Sequence, residues 1–417
     1  MIGATVKTIC LRQAGIMNRN KIKSTVSSSS IVALLGLLLC AGVFVPTAAL
    51  ALPDEHHQDT YAIDALPGSG TSPYTLDQEK LAELVSAIEK GNYGNTHSLI
   101  IIQNDNLVLE KYFQGWTRDM RHPCFSVTKS VTSALIGIAL AQGTIKGLDA
   151  KLLSFFSEYS HIRNVDEKKQ SITLENVLTM TTGLEWNELS TPYTFGIFPN
   201  FNNDMIRMLF SRDYIKYVLN QPMASDPGTE WLYNSGSLDL LSGIITNTTG
   251  QSAEDFAADN LFHPMGITDW EWVEGPNDIS ETGAGLFLHP VDMAMFGYLY
   301  LKTGQLNGQQ IVPQDWVETS TAKRITNIMI FNQKVDLYYG YLWWIFPVNA
   351  TVGKSLRLNE IYCALGFGGQ CIFIIPPLDM VVVSTALNLD VNSDDLVSMF
   401  SGFKFLSDYI LPAVKEK

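Results

Sequence analysis

Basic residues are scarce after the first 51 positions of the sequence. Residues 1–51 contain five lysines and arginines and no acidic residue, whereas the rest of the 417-residue chain has 23 basic and 42 acidic residues, a net charge of −19. A surface with this charge repels phosphodiester backbones and anionic lipid headgroups. We therefore expect neither nucleic acid nor a membrane surface as a partner of this larger part.

Several catalytic motifs are also absent from the chain. It contains no G-x-S-x-G, H-E-x-x-H, Walker or G-x-G-x-x-G sequence, so the chemistries that depend on those motifs have no support. It also has no internal repeat and no heptad run. A hydrophobic content of 46% and a charged content of 17% are typical of a globular protein with a large core.

A charge-free stretch follows the basic residues of the N-terminus. It covers residues 31–51 and ends in small residues at Ala49-Leu50-Ala51. This pattern predicts a Sec-type signal peptide over residues 1–51. The alternative is a retained membrane anchor, because about 20 apolar residues can span a bilayer. Both interpretations predict an exported body, which is periplasmic or extracellular, or else tethered to the membrane by residues 31–51 alone.

Cysteine is scarce as well. Only Cys124, Cys363 and Cys371 lie beyond residue 51. An odd number of cysteines in an exported protein permits one disulfide bridge and leaves one thiol. Cys363 and Cys371 could pair across a turn, and buried free thiols are an equally good interpretation.

Strand and helix patterns at the two ends of the chain predict a sheet domain. A helical pattern over residues 76–90, with Asp77 as its N-cap, precedes β-rich runs at 98–102 and 107–112 that favour a hairpin. Near the C-terminus the patterns are three β-rich runs and one helix, at residues 338–346, 370–375, 380–387 and 396–410.

The middle of the chain has a different pattern. Residues 151–300 alternate short helical patterns with loops rich in Pro, Gly, Asn and Thr, and residues 52–75 are typical of a linker. We therefore expect an α/β (α+β) fold in which residues 76–150 and 301–417 form a sheet domain and residues 151–300 form a mostly helical lobe.

A Ser-x-x-Lys pair is the first candidate for chemistry. Three segments match the pattern, beginning at Ser126, Ser320 and Ser401, but only Ser126 begins a long apolar helix, expected over residues 126–142. There the serine amide is free and the positive end of the helix dipole faces a bound oxyanion. A spacing of three places Lys129 beside the hydroxyl, and burial favours the neutral amine that can accept its proton. The alternative is an N-cap serine with a snorkelling lysine.

An aromatic loop supplies the second candidate. Tyr233 lies between the breaks at Pro227-Gly228 and Gly236, where its hydroxyl could face a cleft and relay a proton. Ser235 could add a second hydroxyl to that relay. The alternative is a core tyrosine whose hydroxyl is satisfied elsewhere.

A glycine-rich segment precedes the strand expected at residues 370–375. Gly366 and Gly368 would let the backbone approach a ligand closely, and an amide here could join that of Ser126 in a two-donor oxyanion hole. The alternative is a tight hairpin that binds no ligand.

Three segments of the chain now stand in order: Ser126-Val127-Thr128-Lys129, Tyr233-Asn234-Ser235, and the segment from Ala364 to Gln370. Together they resemble the three ordered motifs of the penicillin-recognising serine hydrolases. More narrowly, the chain resembles the class C beta-lactamase-related branch, which includes esterases, D-aminopeptidases and nylon-oligomer (aminohexanoate-dimer) hydrolases. The resemblance runs from about residue 75 to 412. It is also supported by Gly283-Ala284-Gly285-Leu286 and Pro290-Val291-Asp292-Met293.

The resemblance implies a role for each matching residue. Ser126 would be the nucleophile, Lys129 its base and Tyr233 the proton relay to the leaving group. The amides of Ser126 and Phe367 would form the oxyanion hole, in a site between an antiparallel sheet domain with flanking helices and a helical lobe. Beta-lactamases carry Lys or His at the start of the third motif, where this chain has Ala364, and Asn where this chain has Ser235. Both departures resemble the nylon-oligomer hydrolases and esterases.

We therefore expect an exported serine hydrolase that cleaves an ester, an amide or a short peptide-like substrate through an acyl-enzyme, with no metal or organic cofactor. One alternative is a penicillin-binding protein, a peptidase acting on D-amino acids or a beta-lactamase, against which the missing third-motif cation argues. Another is a non-catalytic penicillin sensor, which would acylate without turnover.

Overall fold

The computed structural model describes residues 61–191, 193–195, 198–330, 333–348, 356, 358–388 and 401–416. The predicted signal segment, residues 1–51, lies outside these ranges. In the described part of the chain, no helix is both long enough and apolar enough to cross a bilayer.

A seven-stranded antiparallel sheet forms the centre of the molecule. Its strands are β1 (Thr96–Gln103), β2 (Asn106–Tyr112), β3 (Tyr338–Tyr339), β4 (Trp344–Pro347), β5 (Glu360–Gly366), β6 (Gln370–Ile375) and β7 (Met380–Ala386), in the spatial order β3-β4-β5-β6-β7-β1-β2. The first strand in sequence therefore pairs with the last, from Met380 opposite Gln103 to Ala386 opposite Thr96. Every residue of β1 is buried, so this strand is covered on both faces.

The predicted hairpin and helices of the N-terminal part are confirmed. β1 and β2 join through Asn104 and Asp105, which both have positive φ, as a two-residue hairpin turn requires. Helix α1 (Gln78–Glu89) begins at Asp77, whose carboxylate accepts a hydrogen bond from the amide of Glu79. Helix α2 (Val127–Ala141) is buried from Val127 through Ala139 and contacts β5 and β6.

Three further helices lie around the sheet, and two of them cover its opposite faces. Helix α3 (Gly236–Thr249) contacts α2, whereas helix α4 (Pro290–Leu301) packs on the sheet, where a Cβ atom added to Gly297 would lie 2.7 Å from Ile372 and Val381. Helix α5 (Ser401–Phe405) lies beside Cys371, and neighbouring strand residues point to opposite faces, so α4 and α5 lie on different sides.

Shorter helices and strands complete the fold. The short helices lie mainly between α2 and α4, at Glu167–Ser171, Leu174–Leu178, Asp204–Leu209, Tyr214–Leu219, Ala253–Ala257 and, after α4, Gln314–Ser320. Among the short strand pairings, Tyr74–Leu76 pairs with Val414–Glu416, and His122–Pro123 and Glu271–Trp272 both pair with Leu286–Leu288.

Three predicted boundaries differ from the structure. The predicted linker is, from Tyr61 onward, part of the folded body, because Tyr61 and Ile63 are buried apolar side chains. Helix α4, predicted within the helical lobe, packs on the sheet. The strand predicted at residues 338–346 divides into β3 and β4, because the chain turns at Leu342, which has a φ of +65°. Strands β6 and β7 agree with prediction, and of the helix predicted at 396–410 only residues 401–410 are described.

The three cysteines beyond residue 51 are buried free thiols. Cys363 and Cys371 lie on adjacent strands, but Cys363 is opposite Phe373 and Cys371 is opposite Leu365, so the two are offset along the pair. Burial raises the pKa of the Cys371 thiol to about 12. The structure therefore matches the free-thiol interpretation of this pair.

Candidate active site

Ser126 lies directly before the buried helix α2. Phe125, the residue before it, has a φ of +44°, a conformation that a non-glycine residue adopts only when its surroundings enforce it. The chain therefore turns sharply into the helix at this serine. Lys129, in the first turn of α2, is only 2% exposed.

The Lys129 amine contacts three groups. Its Nζ atom lies 2.8 Å from Ser126 Oγ and donates a 2.6 Å hydrogen bond to the backbone carbonyl of Gly283. The same atom lies 4.9 Å from the centre of the Tyr233 ring. The amine is thus held against the serine hydroxyl by two fixed neighbours.

Tyr233 reaches the same hydroxyl from the segment that precedes helix α3. Its OH group lies 2.7 Å from Ser126 Oγ. The ring is 8% exposed and packs against Trp231 and Trp344, with ring centres 6.1 and 6.2 Å away. Tyr233 is therefore buried, as the core interpretation predicts, but its hydroxyl is directed at Ser126.

The glycine-rich segment lies against the turn before Ser126. A Cβ atom on Gly366 would lie 2.3 Å from the carbonyl oxygen of Cys124, so no larger residue fits there. The Phe367 ring lies 5.9 Å from the Phe125 ring, and Gly368 has a φ of +79°. Within the described residues, the amides of Ser126 and Phe367 donate no hydrogen bond to another protein group.

Ser235 does not join the predicted relay. Its hydroxyl donates a 2.6 Å hydrogen bond to Glu188, and its amide donates a 2.8 Å hydrogen bond to the same carboxylate. Glu188 also accepts from Trp186 Nε1 at 2.7 Å and from the Tyr193 hydroxyl at 3.0 Å. The buried Glu188 therefore binds the tyrosine loop to the segment around Tyr193, whose ring contacts that of Phe367 at 5.7 Å.

Two further buried carboxyl groups lie behind Lys129. Glu281 accepts hydrogen bonds from the amides of Gly283, at 3.0 Å, and Ala284, at 2.7 Å. Asp239, on helix α3, accepts one from the amide of Thr282 at 3.0 Å. Burial raises the pKa of Glu281 to about 7, although Lys129 and the two amides oppose this shift. Burial and the neighbouring Glu281 raise the pKa of Asp239 well above its usual range.

The other two Ser-x-x-Lys segments do not form a similar pair. Ser320 donates its hydroxyl to the carbonyl of Val317, and Lys323 forms an ion pair with Glu360. The side chain of Ser401 lies outside the described residues. Among the side chains that are described, no three His, Cys, Asp or Glu residues are grouped as metal ligands.

Comparison with known proteins decides the family. A family model described as beta-lactamase matches residues 86–395, which is most of the chain and includes Ser126, Lys129, Tyr233 and the glycine-rich segment. This protein belongs to the beta-lactamase family.

Two curated proteins and a solved structure are similar to this chain over most of its length. A 6-aminohexanoate-dimer hydrolase of Paenarthrobacter ureafaciens is 23% identical over 361 residues, which is 82% of each chain. An uncharacterized protein of Alkalihalophilus pseudofirmus is 24% identical over 339 residues, 74% of this chain and 86% of its own. A solved structure, titled a putative 6-aminohexanoate-dimer hydrolase from Bacillus anthracis, aligns with a TM-score of 0.61 at 22% identity, over 78% of this chain and 82% of that one.

The predicted resemblance and fold class are therefore confirmed. At the start of the third motif, where beta-lactamases carry Lys or His, this chain has Ala364. The structure places Ala364 fully buried in strand β5, where it offers no positive charge. Sequence reasoning did not identify Glu188, Glu281 or Asp239. The one available signal was an acidic residue, Glu281, two positions before the Gly283-Ala284-Gly285-Leu286 segment that supports the family resemblance.

Gly366→Ala is expected to lower activity as well as stability. The added methyl group would push β5 away from the Cys124 carbonyl and so move the Phe367 amide relative to Ser126. Overpacking of this kind costs about 1–3 kcal/mol of unfolding free energy. Urea unfolding and ester kinetics would measure the two effects.

Gly297→Ala is the matched control, because its methyl group would overpack Ile372 and Val381 on the α4 face of the sheet. It should lose stability but keep its specific activity. Equal activity losses in the two variants would contradict a special role for the Gly366 segment.

Proposed function

We propose that this protein is a serine hydrolase that cleaves ester or amide bonds through an acyl-enzyme on Ser126. The observation that carries the proposal is the convergence of Lys129 Nζ, at 2.8 Å, and the Tyr233 hydroxyl, at 2.7 Å, on Ser126 Oγ. A hydroxyl becomes a competent nucleophile when a neighbouring base can take its proton, and both groups are within reach.

In the proposed acylation step, Ser126 Oγ attacks the carbonyl carbon while the neutral amine of Lys129 takes its proton. The amides of Ser126 and Phe367 stabilise the negative charge that develops on the carbonyl oxygen. The bond to the leaving group then breaks, and the Tyr233 hydroxyl passes the proton on to that group. In deacylation, the neutral amine of Lys129 takes a proton from the water that attacks the acyl carbon, and the Ser126 oxygen departs with that proton.

The substrate class follows from the third motif. Ala364 occupies the position where beta-lactamases carry a cation, so a substrate carboxylate has no positive partner there. We infer a substrate that does not depend on such a carboxylate, and weak activity on penicillins. The similarity to a 6-aminohexanoate-dimer hydrolase supports an amide substrate. The similarity to the hydrolase titled EstCE1, with a TM-score of 0.58 at 15% identity, supports the fold alone and does not bear on the substrate. We also propose that the body acts outside the cytoplasm, on the pattern of residues 1–51.

A labelling experiment tests the proposal. Purified protein is treated with a fluorophosphonate probe, the modified peptide is identified by mass spectrometry, and chromogenic short-acyl esters and matched amides are assayed alongside penicillin. We expect modification at Ser126 and steady ester or amide turnover. No labelling and no turnover would overturn the proposal, and an acylation burst without turnover would favour a sensor.

Tyr233→Phe is expected to lower kcat by about 10²–10³-fold with little change in KM, because the ring still packs but the hydroxyl that donates the proton is gone. Steady-state kinetics on an ester with a poor leaving group would measure this effect. Tyr339→Phe is the matched control, since its ring packs on the same Trp231 and Trp344. An equal loss in both variants would contradict the relay role.

A further inference from the structure

Glu281 is linked to Lys129 through a single residue. Both carboxylate oxygens of Glu281 accept backbone amides, at 3.0 Å from Gly283 and at 2.7 Å from Ala284. The carbonyl of the same Gly283 accepts the Lys129 amine at 2.6 Å. The carboxylate therefore fixes the peptide that holds the lysine.

Thr282, the residue before Gly283, is anchored independently of Glu281. The Thr282 amide donates to Asp239 at 3.0 Å, and the Thr282 hydroxyl donates to the carbonyl of Leu238 at 2.6 Å. The Thr282 carbonyl accepts the hydroxyl of Thr132, one turn beyond Lys129 on helix α2. Lys129 acts electrostatically on both carboxyl groups, since it lowers the pKa of Glu281 and of Asp239 against the effect of burial.

Four ionisable groups act on Glu281. They are Lys129 on α2, Asp239 on α3, Glu188 in the loop that follows Trp186, and Tyr214 on the short helix Tyr214–Leu219, whose own pKa is raised mainly by burial and further by Asp239 and Glu281. Asp239 Oδ2 is buried and has no hydrogen-bond partner in the described part of the chain. A buried oxygen without a donor disfavours the ionised form, so Asp239 is held as a neutral acid, and Glu281 carries the charge of the pair above its pKa of about 7.

We propose that Glu281 is a positioning residue for the reaction, which fixes the Gly283 carbonyl against Lys129 and places a negative charge close to that amine. A negative charge favours the ammonium form of a neighbouring amine, and its influence is strong where water is excluded. This inference rests on the proposed function, in which the neutral amine is the base.

Glu281→Gln tests the charge directly. The variant keeps the shape but removes the charge and one of the two amide contacts. We expect the acidic limb of the kcat/KM profile for ester cleavage to move down by about one pH unit, because the carboxylate charge that favours a protonated base nearby is gone. We also expect kcat/KM at the optimum to fall by up to about tenfold, from the lost hydrogen bond.

Two variants separate charge from geometry. Glu281→Asp keeps the charge but shortens the side chain, so its rate should fall while the acidic limb stays in place. Asp239→Asn replaces a group that is already neutral and should leave the limb in place as well. The inference would be overturned if the acidic limb of the kcat/KM profile did not move in Glu281→Gln while circular dichroism showed that the variant is folded. An inactive, unlabelled wild type would instead overturn the proposed function.

A titration of the wild type keeps the inference testable if Glu281→Gln does not fold. In protein labelled with ¹³C at glutamate carboxyl groups, one resonance should titrate near pH 7. In Lys129→Met its midpoint should rise, because the cation that opposes the effect of burial is gone. A midpoint that is the same in both proteins would show that the two groups are not coupled, and would overturn the inference.

Discussion

Replacing Ser126 with alanine is expected to lower kcat/KM for ester cleavage by at least about 10⁴-fold, because no other hydroxyl can form the acyl-enzyme. Lys129 and Tyr233 would remain in place, but neither could act without the oxygen that they share. Fluorophosphonate labelling should disappear together with turnover. The fold should persist, since the side chain of Ser126 does not cap helix α2.

Ser130→Ala is the matched control for this variant. Ser130 lies on the same helix and is buried, but its hydroxyl donates to the carbonyl of Leu342 at 2.7 Å. We expect it to lose about 1–2 kcal/mol of unfolding free energy, because that carbonyl would lose its donor, and to remain within about tenfold of wild-type activity. Residual turnover in Ser126→Ala similar to that of Ser130→Ala would contradict the proposed nucleophile.

Replacing Lys129 with methionine is expected to lower kcat/KM by about 10³-fold, because the variant keeps the apolar stem of the side chain and loses the base. The measurement is kcat/KM for an activated ester from pH 5 to 10, with the melting temperature of each protein. The deficit should narrow at high pH, where hydroxide can take the serine proton. Stability should fall by about 1–3 kcal/mol of unfolding free energy, because the buried carbonyl of Gly283 loses its donor.

Lys169→Met separates this effect from the general loss of a buried lysine. Lys169 is 1% exposed, and its amine donates to the carbonyls of Arg163, Leu219 and Gln221. Three carbonyls would lose their donor, so this variant should be less stable but keep its activity per folded molecule. Full activity in Lys129→Met would contradict the role of that lysine as base.

The sequence predicted the parts of the site that are encoded locally. A serine at the start of an apolar helix, a lysine three residues later and a tyrosine between two chain breaks are each visible in a short window. Their convergence could be inferred only from the family resemblance, because Tyr233 is 107 residues from Ser126. The hairpin turn at Asn104 and Asp105 was predictable for the same local reason.

Contacts between distant polar residues could not be predicted in this way. Ser235 is two residues from Tyr233 and therefore seemed suited to the relay, but Glu188, 47 residues earlier, accepts its hydroxyl. Glu281 and Asp239 lie 42 positions apart in sequence and meet only because helix α3 packs beside the Gly283 segment. Likewise the break between β3 and β4 follows from long-range contacts, since helix α2 donates to the carbonyls of Tyr341 and Leu342.

The pairing of β1 with β7 has a consequence for synthesis of the chain. The sheet cannot close until residue 386 has been made, although its first hairpin is complete by residue 112. Contacts between such distant segments form slowly, because bringing the two strands together costs the chain entropy of the long segment between them. A chain truncated before residue 380 would thus keep the nucleophile and its base but leave the apolar edge of β1 uncovered, a template for aggregation.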